Sequence, residues 1–332
     1  MSNTITLTQE SINKIKASQQ YPLDKEWILD DDVTDLSSLF SFDDDDDTEN
    51  NFTSNVWKTI GISNWDVSRV TNMSNLFDFV ETFNEDLSKW NVSNVTNMSY
   101  MFRNAIKFNG NIENWDVSNV EDMSFMFDRA KSFNQNIGKW KVHNVTNMSS
   151  MFAGAESFNE DIGKWNVSSV KEMSRMFRDA TKFNEDIGEW NVLQVTTMEY
   201  MFSGAESFNK DIGEWKVSNV TNMSGMFDYA LSFNQDLHKW DVSKVKNMFR
   251  MFNDATAFNG NVSTWNVSNV EQMSFMFANT KNFSQKIQKW DVSKVKDMSN
   301  MFANAQKFDE NLSDWNINKN CDVTSIFGKS LT

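Results

Sequence analysis

Residues 87–112 read LSKWNVSNVTNMSYMFRNAIKFNGNI, and variants of this segment recur every 25 residues along most of the chain. Tryptophan marks the period, returning without a gap from Trp65 to Trp315. Ten consecutive repeats therefore fill residues 65–314. Tandem units of this length stack on their neighbours in solenoid proteins, because one unit alone cannot bury its apolar face. We expect one elongated body rather than two globular domains.

The first half of the repeat predicts a short β-strand. Its apolar residues, beginning with Leu87, follow the spacing L-x-x-L-x-L-x-x-N of a leucine-rich repeat. Trp90 and Val92 alternate with polar residues, which is typical of a strand with one buried face. We expect these strands to pair as a parallel β-ladder.

The second half of the repeat predicts a two-turn helix. An apolar stripe at i, i+3, i+4 and i+7 is formed by Met98, Met101, Phe102 and Ala105. Thr96 stands where an N-cap is expected. The predicted fold class is therefore α/β: a leucine-rich-repeat-like solenoid of ten 25-residue strand–helix repeats with a parallel β-ladder, short outer helices and terminal caps.

Both ends of the chain depart from the period. Residues 1–64 are interpreted as an N-terminal cap with an acidic loop, in which a helix capped by Thr8 extends to Ser18. The stretch 33–40 resembles the centre of a repeat and indicates a degenerate first repeat. Residues 315–332 form a half repeat, interpreted as a C-terminal cap because open solenoid edges need covering.

The net charge of −15 is concentrated near the N-terminus. Ten acidic residues lie between Asp30 and Glu49 with no base among them, and Asp43–Asp47 is an uninterrupted run. We interpret the run as a solvated loop, with cation chelation or a basic partner as the alternatives. The rest of the chain is nearly balanced, and without a basic stripe we expect no binding to nucleic acid.

The sequence favours synthesis in the cytosol without membrane insertion. Residues 1–20 are polar and lack the apolar segment of a signal peptide. No stretch approaches the roughly 20 apolar residues of a membrane span. The single cysteine, Cys321, cannot form a disulfide within the chain and stands far from any N-terminal lipidation position. The final location, at a surface or in a virus particle, is left open.

Two repeated patterns have both a metal-binding and a structural interpretation. The paired methionines Met98 and Met101 could ligate Cu(I), but their place on the apolar stripe indicates core packing. Asn84 and Asp86 begin columns that resemble calcium-binding turns. The aspartate position becomes Lys286 in a later repeat, and Ca²⁺ needs oxygen donors, so turn capping is favoured. We expect no metal and no cofactor.

Candidates for catalysis are few. His143 and His238 stand in different columns of distant repeats, so they cannot form a dyad. No arrangement of serine or Cys321 completes a triad. We therefore expect no enzyme activity.

One variable column, between the two methionine columns, is the candidate contact for a protein partner. On a helix this position lies about 150° from the centre of the apolar stripe and would point outward. Exposed aromatic and arginine side chains are enriched at interfaces, although isolated exposed aromatics are common. The residues that we select from this column are Tyr100, Phe125, Arg175, Tyr200, Arg250 and Phe275.

The unit W-[DN]-V-S-x-V-T-x-M-S-x-M-F-x-x-A-x-x-F-N-x-D-I resembles the BspA-like leucine-rich-repeat surface proteins. More narrowly, it is similar to the mycoplasma lipoprotein-associated repeat, as in Trp165–Ser168 and Met173–Phe177. The resemblance covers residues 62–327. It implies a surface-displayed adhesive or protein-binding role and carries no catalytic residues.

The sequence thus predicts a non-enzymatic repeat scaffold for protein–protein interaction or adhesion, with a partner whose identity is open. The alternative is a structural component of a virus particle or cell-surface coat, in which the ladder mediates self-assembly. A remote alternative is an ice-binding array. The expected strand face disfavours it, because Lys139 and Glu189 stand there with Asn114 instead of a threonine array.

The architecture can be tested by small-angle X-ray scattering. An elongated solenoid of 332 residues should exceed the radius of gyration of a compact chain, which is roughly 2.2·N^0.38 Å for N residues. A measured value at the compact limit would exclude the solenoid.

Overall fold

The computed structural model describes residues 3–42 and 54–328. The chain divides into two compact units, residues 1–161 and 162–332. Helices and strands of the described residues are confined to the N-terminal region: β1 (Thr4–Leu7), α1 (Gln9–Ser18), β2 (Glu26–Leu29), α2 (Ser54–Ile60) and a 3₁₀ turn (Ile62–Asn64). The acidic run Asp43–Asp47 lies outside the described residues. No described helix is long and apolar enough to cross a membrane.

The N-terminal region is a small β–α–β unit. β1 and β2 pair in parallel, with Thr4 opposite Glu26, and α1 connects them. The N–H of Ser11 donates to the hydroxyl of Thr8 at 3.2 Å, which caps the start of α1. The helix buries Ile12 and Ile15. The predicted helix with its Thr8 cap is confirmed.

Each repeat is a series of turns that meets its neighbour through an isolated parallel β-bridge. In residues 1–161 the bridges join Asp35, Asn72, Asn97, Asp122 and Asn147 in succession. In residues 162–332 they join Glu172, Thr197, Asn222, Asn247, Gln272, Asp297 and Asp322. The first of these bridges joins Asp35, in the stretch 33–40 that resembles the centre of a repeat, to Asn72. The predicted strand around Trp90 is not formed, and pairing occurs further along, at the Asn97 column.

The predicted two-turn helix is also wrong, because alternate backbone N–H groups point to the next repeat. The N–H groups of residues 98, 100, 102 and 104 donate to the carbonyl oxygens of 122, 124, 126 and 128 at 2.6–3.0 Å. A helix would direct them along its own axis. In addition, Tyr100 and Asn104 have φ values of 60° and 56°, which interrupt a right-handed helix. Thr96 is not an N-cap either, since its hydroxyl donates to the carbonyl of Thr71 at 3.3 Å instead of accepting a following N–H.

The intervening N–H groups close tight turns within the repeat. Met101 donates to the carbonyl of Met98 at 3.3 Å, and Ala105 donates to that of Phe102 at 3.1 Å. This series of turns buries the same residues that a helix would have buried. The side chains of Met98, Met101, Phe102 and Ala105 are all 0% exposed. The apolar spacing therefore identified the interior correctly although it indicated the wrong backbone.

The tryptophans stack and also hold the neighbouring repeat by hydrogen bonds. Trp215 lies 6.5 Å from Trp190 and 6.4 Å from Trp240 between ring centroids, with nearly parallel planes. Its indole N–H donates to the carbonyl of Ile187 at 3.0 Å. Trp215 thereby satisfies its buried indole N–H while it fills the core.

Asparagine and aspartate side chains supply hydrogen bonds that regular elements would otherwise provide. The Oδ1 atoms of Asn209 and Asn234 accept the N–H groups of Asn234 and Asn259 at 2.9 and 2.7 Å, respectively. In the aspartate column, Asp211 accepts the N–H of Gly213 at 2.8 Å in an Asx turn. The turn-capping interpretation of that column is confirmed.

Replacement of Trp215 by alanine should lower the free energy of unfolding by about 3–5 kcal/mol, because a buried ring and its hydrogen bond are lost. Denaturant titration followed by circular dichroism measures the change. The exposed Glu189→Ala is the control and should change stability by less than about 0.5 kcal/mol. Equal stability of the two variants would contradict the packing role.

The asparagine ladder predicts a difference between two substitutions at one position. Asn234→Ala should cost about 0.5–1.5 kcal/mol, because the exposed N–H of Asn259 loses its side-chain acceptor. Asn234→Asp keeps an oxygen at that place and should cost less. If thermal unfolding ranks the two variants in the opposite order, the ladder does not contribute as proposed.

Candidate functional site

The six candidate residues share a backbone conformation that the sequence did not reveal. Their φ values all lie between 52° and 60°, in the left-handed region. We call the column of the repeat that contains these six residues the left-handed column. This region costs a residue with a side chain about 1–2 kcal/mol, and glycine or asparagine is the usual occupant. The same column does contain Asn75, Gly225 and Asn300, at φ values of 56–59°. Six aromatic or arginine residues thus occupy positions that the backbone alone would assign to other residue types.

Hydrogen bonds to the next repeat hold the column in this conformation. The N–H of Tyr100 donates to the carbonyl of Ser124 at 2.9 Å, and that of Tyr200 donates to Ser224 at 2.8 Å. Each column residue is also the third residue of a tight turn, where a positive φ is a standard requirement. The backbone of every repeat therefore directs the column side chain in the same way.

The prediction that the column side chains point fully outward needs correction. Arg175 is exposed, but the other five residues are half-buried. They lean towards the next repeat instead of projecting from a helix. A Cβ added to Gly225 would lie 2.2 Å from Cε1 of Tyr200, so that ring covers the glycine.

In the first unit, the candidate residues belong to a stack of planar groups. Tyr100 and Phe125 are parallel within 5°, with ring centroids 4.5 Å apart. The Arg103 guanidinium also belongs to this stack and lies 4.8 Å from the centroid of the Tyr100 ring and 4.7 Å from that of the Phe79 ring. Its Nε and Nη2 donate to the two carboxylate oxygens of Asp78 at 2.8 and 2.7 Å. We call these five residues the Tyr100 stack.

Burial and charge alter the acid–base properties of the Tyr100 stack. Burial raises the pKa of Tyr100, so its hydroxyl is neutral at physiological pH. The hydrogen bond that it donates to Asp78 raises the pKa of the Arg103 guanidinium, which is permanently charged. The stack therefore presents neutral aromatic surface beside an internally compensated ion pair.

A shallow cavity borders the Tyr100 stack. Its volume is about 440 Å³. It is lined by Ser38, Ser41, Phe42, Asn75, Asp78, Phe79 and Arg103. The stack thus has an adjoining recess that could receive a side chain of a partner.

Sequence reasoning missed Asp78, Phe79 and Arg103. Asp78 and Arg103 occupy the same column in successive repeats, so their opposite charges at a 25-residue offset were the available signal. Phe79 belongs to a second left-handed column, four residues after the first, which the helix prediction concealed.

In the second unit, the candidates form two separate groups. Arg175 donates through Nη2 to Glu199 at 3.0 Å and lies 5.7 Å from the Tyr200 ring. The other group contains Arg250, which lies 5.3 Å from the ring centroids of both Phe249 and Phe275. Neither group brings together a nucleophile and a base.

Other chemistry finds little support in the described part of the chain. No group of three or more His, Cys, Asp or Glu residues there has the arrangement of a metal site. The Cys321 thiol has a pKa raised by burial, which disfavours the reactive thiolate. The methionines Met98 and Met101 are fully buried in the core.

Comparison with known proteins places the repeat in a family. No curated protein matches the chain. A family model described as "Mycoplasma protein of unknown function, DUF285" matches residues 34–163, 147–262 and 232–332. Since these overlapping matches span residues 34–332, the chain belongs to this family of repeat-containing proteins.

Proposed function

We propose that the protein is a non-enzymatic repeat scaffold that binds other proteins through the left-handed column. One observation carries this proposal: Tyr100 and Phe125 occupy strained backbone positions although the fold accepts glycine or asparagine there. Strained residues that the backbone does not require often serve a function. Since Tyr and Arg are also enriched at the anchors of protein interfaces, binding is the role that best fits these residues.

The geometry favours a pre-ordered contact. Parallel stacking holds the rings of Tyr100 and Phe125 in place before a partner arrives, so little side-chain entropy remains to be lost on binding. Arg103 also packs against the Tyr100 ring, with its guanidinium carbon 4.8 Å from the ring centroid. A rigid aromatic surface of this kind suits an exposed apolar or aromatic side chain of a protein partner.

Surface display and adhesion are the finer part of the proposal. They are supported by the resemblance of the repeat to the BspA-like surface proteins. Self-assembly into a particle or coat is the competing role, and sedimentation velocity separates the two. A scaffold for other proteins should sediment as one small species at every concentration, whereas an assembly component should grow with concentration.

The double variant Tyr100→Asn/Phe125→Asn tests the binding role. Relief of backbone strain, about 1–2 kcal/mol per residue, should offset much of the lost stacking, which is about 0.5–1.5 kcal/mol. Stability should therefore change little. Proteins captured from an extract of the source cells and quantified by mass spectrometry should nevertheless decrease by about fivefold or more, as expected when a contact worth about 1 kcal/mol or more is removed.

The matched control is Ile28→Thr, which removes another exposed apolar side chain of the same unit, 50% exposed on β2. It should leave the captured proteins unchanged. If the double variant is folded and captures the same proteins as the unaltered chain, the column is not the contact. If it unfolds, the two rings have a structural role instead.

A further inference from the structure

The guanidinium of Arg250 sits in a corner formed by two phenylalanine rings. The rings of Phe249 and Phe275 are 6.4 Å apart and nearly perpendicular, at 85°. The guanidinium carbon lies 5.3 Å from each ring centroid. We call these three residues the Arg250 clamp. Because aromatic rings flank the cation, its position is fixed before any ligand binds.

The Arg250 clamp lacks an internal carboxylate, whereas the Tyr100 stack contains one. Arg103 is also held by two aromatic rings, but Asp78 accepts two of its N–H groups. By contrast, the Nε of Arg250 is buried without a hydrogen-bond partner among the described residues. A buried polar group without a partner is costly, and a cation more so. The remaining N–H groups of the guanidinium are therefore the place where an external anion would stabilise the charge.

The acidic residues nearby are engaged elsewhere. Asp228 is 6% exposed, and it accepts a hydrogen bond from Nδ2 of Asn253 at 2.8 Å. Burial raises the pKa of Asp228, and the charge of Arg250 opposes this rise from a distance. Asp254 lies beside Tyr229, whose pKa it raises. These two carboxyl groups contribute to the electrostatic potential around Arg250, but neither forms an ion pair with it.

We infer that the Arg250 clamp binds a carboxylate from an acidic peptide segment of a protein partner. The inference rests on the proposed function, because it specifies the ligand chemistry at one position of the same column. A guanidinium pairs with a carboxylate through two parallel hydrogen bonds. The flanking rings of Phe249 and Phe275 would contact an apolar residue beside the acidic one.

A single carboxylate fits the clamp better than a phosphate group. Phosphate sites usually gather several cations around a double negative charge. Here Arg250 stands near Asp228, which itself lies near Asp254, and these carboxyl groups would repel a dianion more strongly than a monoanion. The clamp is therefore assigned to aspartate or glutamate side chains.

The test uses the full chain and three fluorescent peptides that differ only at the acidic positions. The first alternates Glu with Leu, the second has Gln in place of Glu, and the third has phosphoserine. Fluorescence anisotropy at low ionic strength should show that the Glu peptide binds about tenfold more tightly than the Gln peptide, as expected for a charge-assisted pair. Arg250→Gln should abolish this preference. Arg250→Lys should retain only part of it, because lysine lacks the planar fork.

Arg129→Gln is the matched control, since Arg129 is exposed and lies in the other left-handed column. It should keep the full preference for Glu. Equal binding of the Glu and Gln peptides to the unaltered chain overturns the inference, as does an unchanged preference in Arg250→Gln. Tighter binding of the phosphoserine peptide overturns the assignment to a carboxylate.

Two further measurements keep the result interpretable. Circular dichroism shows whether Arg250→Gln is folded. If it is not, the ¹⁵N–¹H signal of the Arg250 side chain in the unaltered protein gives the answer: it should shift with the Glu peptide and stay in place with the Gln peptide.

The variant Tyr100→Asn/Phe125→Asn should keep its preference for Glu, because its changes lie in the other unit. Failure at the clamp can therefore be told apart from failure of the Tyr100 stack.

Discussion

The structure depends on the hydrogen bonds that alternate backbone N–H groups donate to the next repeat. Met98 and Tyr100 show the pattern, since each pairs with a carbonyl 24 residues later, at 3.0 and 2.9 Å. To present these groups sideways, the chain must turn back on itself within each repeat, which places residues such as Tyr100 and Asn104 at positive φ. The same bonds bring equal columns into register, so tryptophan meets tryptophan and asparagine meets asparagine in neighbouring repeats.

The sequence predicted the interior of the repeat but not its backbone. Burial of Met98 and Phe102 follows from their spacing, yet overlapping four-residue turns satisfy that spacing as well as a helix does. The overlooked signal was the presence of glycine in two columns, at Gly225 and Gly204, where a helix has no need of it. Both residues have positive φ. The solenoid as a whole stays a prediction.

The candidate site was predicted in part for a similar reason. The column containing Tyr100 and Arg250 was selected because it combines variable aromatic and basic residues, and the structure gives these residues a shared conformation. Phe79 contacts Arg103 across the repeat boundary and belongs to a second left-handed column, so reasoning along a helix could not find it. Arg103 contacts Tyr100 from three residues further along the same repeat, and its pairing with Asp78 of the preceding repeat is what reasoning along a helix missed. Such contacts depend on the 25-residue offset, which orders side chains across repeats rather than along one element.

At the left-handed column, main-chain atoms join the repeats and the side chain forms the surface. These separate roles would allow one repeat to support specific binding. The bonds that join repeats use main-chain atoms at the column, so they form equally with Tyr100, Gly225 or Phe275 in that place. A change of side chain at the column therefore alters the surface without removing a bond of the ladder, at a strain cost of about 1–2 kcal/mol for a residue that is not glycine. The buried columns have no such freedom, because each ring there packs on rings before and after it. The surface can consequently differ from repeat to repeat at the left-handed column, while the tryptophan and phenylalanine columns keep the fold unchanged.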